Sequence, residues 1–310
     1  MSDTAKAVNG PETGPKWAVD AYLFLTFATM CWGGNAVLSR LAVGEISPLA
    51  LVTARWAGVL LLIGLFMRGS MRRDWPALKR HWRFVVVMGG AGFTLFNAVF
   101  YIAAHSTTAI NLGIIQGAIP VFVMVGSYIL YREKITVIQA LGVAVTLVGV
   151  VVVVTRGSME RLVTLTINDG DFLMLLAAFL YASYAIGLRR RPPVSTLGLF
   201  SGMAIVAFVI SLPFLAAEIA MGDFLAPTPT GWFVVVLVTI FPSFVSQISF
   251  IKGVDKIGPS RAGVFVNLVP IFAAGMAVTF IGEEFHFFHG AALLLVLFGI
   301  FLSEKFKKTH

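Results

Sequence analysis

The sequence predicts an all-α integral membrane protein of ten transmembrane helices, arranged as two inverted five-helix repeats with both termini in the cytoplasm. Three observations predict it. The 310-residue chain is 58% hydrophobic and 12% charged, with mean hydropathy +0.90; a soluble core has nowhere to hide that much apolar surface, whereas a bilayer has. Ten apolar runs are long enough to cross hydrocarbon, which takes roughly 20 residues each. The stretch 97–149 is mirrored without a gap by 247–299, the pairs Phe100/Phe250, Gly113/Gly263, Pro120/Pro270, Phe122/Phe272, Glu133/Glu283, Leu147/Leu297 and Gly149/Gly299 being identical at an offset of 150. Repeats of this kind are the signature of membrane transporters built from two halves.

Residues 1–19 are polar, with Gly10, Pro11, Gly14 and Pro15, and form a cytoplasmic tail. No short apolar region with a small-residue cleavage site precedes the first long run, so that run is expected to act as an uncleaved targeting signal. The predicted spans are 20–40, 48–68, 84–104, 109–131 and 136–155 in the first repeat (20–156). In the second repeat (157–304) they are 171–188, 195–217, 231–251, 259–281 and 287–304, and a basic cytoplasmic tail follows at 305–310. The single cysteine, Cys31, has no intramolecular disulfide partner.

Basic residues orient these spans. With both termini inside, all of the 23 lysines and arginines except Arg40, Arg55, Arg156 and Arg161 fall on the cytoplasmic side. One helix more or fewer would scramble that segregation. The net charge of +8 therefore serves topology rather than nucleic acid, since the basic residues lie between apolar runs and form no continuous face. Five spans per half is an odd number, so the second half enters the membrane upside down. The first spans of the halves agree at an offset of 149, through Trp32/Tyr181, Asn35/Tyr184 and Arg40/Arg189.

Polar side chains inside spans face the bundle or a wet cavity. The candidates for lining a substrate pathway are Trp32 and Asn35, Asn97 and Tyr101, Tyr181 and Tyr184, Ser243 and Gln247, and Asn267, with Asn111 and Gln116 as further buried amides. Each amide taken alone has an equal reading as interhelical glue. Aromatic side chains beside amides suit a ring that carries a polar head group. Tyr22, Trp17, Trp82 and Trp232 are read as interfacial anchors.

Pro120 and Pro270 are expected mid-helix, where each removes a backbone donor, and are read as bends or gates; the carbonyls they free belong to Gln116 and Val266. Gly113 and Gly117 allow a close helix approach. Arg55, about seven residues into the second span, is expected to play a structural part, snorkelling outward; the sharper alternative is an ion pair or a carboxylate contact. Glu133 and Glu283 are expected to pair with Arg132, Lys134 or helix ends, and His105 to be a solvated loop histidine. Asp20, Asp171 and Asp255 fall at span ends, so no span carries a deep carboxylate.

Trp32-Gly33-Gly34-Asn35, Pro48 and Arg55 at the start of the second span, the runs broken by Pro120 and Pro270, and the glutamates just after them together resemble the drug/metabolite transporter superfamily. The match is to its ten-helix exporters, most closely the bacterial aromatic amino acid exporters, and it covers residues 20 to 304. The resemblance implies a multi-pass protein of the bacterial inner membrane that exports small metabolites by alternating access at a cavity between the repeats. The four-helix branch of that superfamily uses a membrane carboxylate for cationic drugs, which this chain does not place within a span.

An aromatic amino acid is the expected cargo, and another metabolite or drug on the same scaffold is the alternative. No enzyme is expected: there is no HExxH, no pair of carboxylates within the spans, no GxSxG and no P-loop. No cofactor or metal is called for. The expected partners are the small-molecule substrate and the lipid bilayer; oligomeric state stays open.

Overall fold

The computed structural model describes residues 16–132, 135–163, 168–257, 262 and 265–305, all helix, turn or irregular chain and without a strand among them. Among the described residues twelve helices follow one another: α1 (Lys16–Leu41), α2 (Pro48–Phe66), α3 (Arg68–Arg80), α4 (Trp82–Ala103), α5 (Ala109–Tyr131), α6 (Val137–Val154), α7 (Met159–Val163), α8 (Asp169–Arg190), α9 (Thr196–Met221), α10 (Pro229–Ile257), α11 (Val266–Ile281) and α12 (Phe287–Lys305). Eight are long and apolar enough to cross a membrane, and α11 and α12 are shorter apolar helices. Their bounds follow the predicted spans to within a few residues, except that α10 continues to Ile257 where the predicted span ends at 251, and that α11 is described only from 265, apart from Ala262. Most of each tail (1–15 and 306–310), with Glu133, Lys134, Arg261 and Gly263, lies outside the described residues, while 16–19 already belong to α1.

Helices begin where a short polar residue satisfies the first free amides. Thr108, Asn168, Ser195 and Thr228 each accept a backbone N–H from the first turn of the helix they open, and Thr136 with Gln139 forms a capping box on α6. Several caps are completed from the other half of the chain. Glu218, near the end of α9, accepts from Ser47 Oγ (2.6 Å), Leu49 N (3.0 Å) and Ala50 N (3.1 Å) at the start of α2. Reciprocally, Asp74 of α3 accepts from Ser195 N (3.2 Å) and from Ser195 Oγ at the start of α9. Glu283 takes the first amides of α5, Ala109 N at 2.8 Å and Ile110 N at 3.0 Å, with Arg40 3.9 Å away, so its role is that of a helix-end partner.

The packing exchanges partners between halves. α1 lies against α10 and α11, while α8 lies against α4 and α5; α2 packs on α9, α6 on α12, and the first half of α5 on α11. Local features recur at the same offset. α4 contains a π-helical stretch at Gly90–Leu95 and α10 one at Thr239–Val245, and left-handed residues end both α5 (Arg132, φ 57°) and α11 (Gly282, φ 66°). Where α6 crosses α12, a Cβ on Gly149 would lie 2.9 Å from Ala292 O, and one on Gly142 2.8 Å from Ser303 N beside Gly299. The paired glycines 149 and 299 are thus explained by one tight crossing.

The basic stretch between the second and third spans forms the helix α3, with Trp75 exposed and Leu78 buried. One sequence expectation changes here. Pro120 and Pro270 do not sit within continuous helices. α5 breaks at Gly117–Ala118, and α11 opens on a tight turn at Val266–Leu268, so each proline occupies the first turn of a new helical piece, where its missing N–H costs little. Short-range bonds from Gly117 N to Ile114 O and Ala118 N to Ile115 O (both 2.9 Å) close the first break. The expected close approach holds nearby, since a Cβ on Gly113 or Gly117 would overlap Ala273 or Val296.

Candidate functional site

Arg55 is the eighth residue of α2, about 10 Å along the helix from its start at 1.5 Å per residue. It does not snorkel. Only 5% of it is exposed, and no described carboxylate forms an ion pair with it. Its Nη1 donates to Asn97 Oδ1 (2.7 Å), Asn35 Oδ1 (3.2 Å) and Tyr101 Oη (2.5 Å), and Tyr101 in turn donates to Asn35 Oδ1 at 3.2 Å. An arginine at the centre of a span costs about 2.5–3.5 kcal/mol on insertion scales, and hydrogen bonds to a charged group each return about 1.5–3 kcal/mol. The amides and the phenol therefore hold the cation in place. All of these bonds end on Nη1, leaving Nε buried without a partner.

The two π-helical stretches flank this cation. In α4 the widened turn presents Phe93 O to Asn97 Nδ2 (2.6 Å), which turns Asn97 Oδ1 toward Arg55. In α10, Thr239 donates to Arg55 O at 3.4 Å, and a Cβ on Gly58 would sit 2.8 Å from the Thr239 side chain, so this approach of α2 to α10 requires glycine. Wide turns of this type collect at functional sites.

Aromatic rings close the rest of the wall. Trp56 stacks on Phe93 with centroids 4.8 Å apart and planes within 2°; Phe93 meets Tyr184 (5.6 Å), Tyr184 meets Tyr181 (5.5 Å), Tyr181 meets Phe96 (5.1 Å) and Phe96 meets Phe100 (5.7 Å). Phe100 lies edge-on to Tyr101 at 5.9 Å, which returns the chain of rings to the Arg55 cluster. Gly92 makes room for the Tyr184 ring, because any Cβ there would overlap it. Trp56 Nε1 is buried and, like Arg55 Nε, has no partner among the described residues.

Of the sequence-predicted residues, Asn35, Asn97 and Tyr101 meet directly around Arg55, and Tyr181 and Tyr184 join the aromatic chain. Trp32 points elsewhere and packs on Phe250 of α10, centroids 5.0 Å apart. Ser243 turns back to Val238 O, the residue just before its own π-helical stretch. Gln247 and Asn267 are half-buried on α10 and at the start of α11. Pro120 and Pro270 mark the helix breaks described above. The sequence marks Arg55 as a charge within a span but favours a structural role for it, and it gives no sign of Trp56; the signal for the site is a charge eight residues into a span with no acidic residue at helical spacing to pair it.

A second buried polar group lies near the start of α5. Asp171, although only three residues into α8, has 0% exposure and accepts from Thr107 Oγ1 and from Asn111 Nδ2 (3.1 Å), so a carboxylate at a span end is not thereby wet. Asn111 Oδ1 has no partner and borders a cavity of about 230 Å³ shared with Arg156, Glu283, His286 and His289.

Known proteins share this architecture. The EamA-like transporter family profile matches twice, over residues 20–155 and 168–304. The uncharacterized transporter YyaM of Bacillus subtilis is 26% identical over 295 residues, covering 92% of this chain and 94% of its own length. The uncharacterized transporter YetK of the same organism is 26% identical over 297 residues, with 94% and 89% covered, and an uncharacterized transporter of Archaeoglobus fulgidus is 24% identical over 290 residues, with 91% and 96% covered. A solved crystal structure at 18% identity superposes with a TM-score of 0.63, covering 92% of this chain and 97% of the other, and so shares the fold. With matches across both halves and buried polar groups held between apolar helices, this chain is a multi-pass membrane transporter that belongs to the EamA-like transporter family.

Proposed function

We propose that this transporter exports small carboxylate-bearing metabolites, aromatic amino acids first among them, across the bacterial inner membrane. The observation that carries the reading is Arg55, a buried cation with an unspent Nε donor, set beside a wall of linked aromatic rings. A guanidinium edge is the natural partner of a carboxylate, which it engages through two parallel N–H donors. Rings of the wall offer edges and faces to an aromatic side chain, and Trp56 Nε1 offers a further donor.

The mechanism proposed is alternating access between two inverted five-helix halves, residues 20–156 and 157–304. Exchange of packing partners between α1 and α8 supports it, as do the matched π-helical stretches. Rocking of one half against the other would open the Arg55 site to each side in turn. The breaks beside Pro120 and Pro270 are proposed as the points of bending, and Trp32, Ser243, Gln247 and Asn267 as pathway residues met in other stages of the cycle.

The test is counterflow of labelled phenylalanine into liposomes that hold the purified protein, with and without a pH gradient. Saturable uptake competed by tryptophan and tyrosine but not by alanine is expected, and the response to the gradient reports any proton coupling. Absence of uptake by folded protein would overturn the aromatic amino acid reading and turn the search to other cargo, beginning with carboxylates that lack a ring.

A further inference from the structure

A groove of about 410 Å³ runs along the outside of the bundle between the second half of α5 and the end of α8. Phe122, Gly126 and Leu130 form one wall; Phe179, Ser183 and Gly187 form the other. The neighbouring side chains Ile129 and Phe179 are largely exposed and so face hydrocarbon. Small residues carve the groove and large apolar ones rim it, which suits a flexible chain without polar groups. Lipid is the solvent at this depth.

One end of the groove is different. It stops at Arg190, and the tight turn Leu188–Arg190 leads straight into Arg191. Arg189 and Arg190 lie over the Tyr131 ring, their Cζ atoms 4.7 and 5.4 Å from its centroid, and Tyr131 Oη donates to Ile186 O at 3.4 Å. The ring thus holds the arginines at the mouth. Arg190 itself is exposed and forms no ion pair among the described residues. By the positive-inside count this mouth belongs to the cytoplasmic leaflet.

We infer that the groove between α5 and α8 is a binding site for an anionic glycerophospholipid, one acyl chain lying in the groove and the phosphate on Arg190. Charge complementarity selects an anionic head group, and the apolar walls select the chain. The two walls belong to different halves of the sequence, so the lipid bridges one element of each half.

Native mass spectrometry of the full-length protein in detergent tests this, with phosphatidylglycerol and phosphatidylcholine of matched chains titrated in parallel. Preferential retention of phosphatidylglycerol is expected, lowered about fivefold by Arg190→Gln, the weight of one basic residue at an anionic surface. Ser183→Phe, which fills the groove and keeps the arginines, should lower retention of both lipids, with thermal unfolding confirming that each variant folds. Equal retention of the two lipids by the wild type would overturn the proposal. So would undiminished phosphatidylglycerol binding in folded Ser183→Phe, which would place the lipid on the surface arginines alone. None of these outcomes depends on the identity of the transported cargo.

Discussion

Helices α2 and α9 start in the same way, on Ser47 and Ser195, and each start is held by a carboxylate from the opposite half, Glu218 or Asp74. Each then passes a π-helical stretch, α2 against α10 and α9 against α4. At the register set by those two serines, Arg55 and Trp56 of α2 correspond to Met203 and Ala204 of α9. On the third span of each half, Asn97 and Tyr101 correspond to Gln247 and Ile251. The repeated backbone is kept while the charge and its partners appear once. Helix ends, crossings and wide turns depend on shape, which two halves can share; a buried cation is costly, and one cluster suffices to hold a single carboxylate.

The largest effect is expected where that asymmetry is erased. Arg55→Met, which gives α2 the residue of α9, should reduce transport to the level of empty liposomes while thermal stability holds, because methionine needs no hydrogen-bond partner. Activity retained in this variant would remove Arg55 from the site. Asn97→Ala removes the 2.7 Å acceptor of Arg55 and should lower transport about tenfold, equivalent to about 1.4 kcal/mol. Its counterpart Gln247→Ala should lower transport less than Asn97→Ala does, since no described guanidinium rests on it; equal losses would show a site shared by both halves.

Smaller effects fall on the shared scaffold. Gly299→Ala pushes a methyl group into the α6–α12 crossing and should cost about 1–3 kcal/mol of stability, read as a lowered melting temperature. An equal drop for Gly149→Ala would support two-fold-related packing, and a one-sided drop would break it. The smallest effect concerns the helix-start latches. The hydrogen bond from Ser195 holds the Asp74 carboxyl below its ordinary pKa of 3.8, helped by nearby Arg73 against slight burial. A depressed carboxyl contributes stability above its unfolded pKa and loses it as the pH falls through the folded value. Asp74→Asn should therefore lower the melting temperature at pH 7 and bring it level with the wild type only below the folded pKa. A difference that does not vary with pH would show that the latch needs no charge.

Much of this architecture is legible from the chain alone. Runs near 20 apolar residues must form helices in hydrocarbon, because each backbone group has to find its partner within the segment. That constraint explains why the bounds of α2, α5 and α6 fall where hydropathy places them. The cap residues Thr108, Thr136, Ser195 and Thr228 are local as well. The amphipathic α3 escaped the hydropathy pattern because its apolar face is one narrow stripe, and the π-helical stretches escaped because a widened turn leaves no compositional mark.

The site divides the same way. That Asn35, Asn97 and Tyr101 are buried polar groups follows from where they lie in apolar runs, and that much the sequence determined. That they converge on one arginine, that Trp32 turns to Phe250 instead, and that Glu218, Asp74 and Glu283 reach across to cap helices of the other half was decided only by the tertiary structure. Hydropathy sets the depth of a residue in the bilayer, one coordinate along the helix axis. Which neighbour it meets at that depth depends on helix rotation and partner exchange, and these are set by contacts between residues up to about 180 positions apart, as in Thr239 with Arg55.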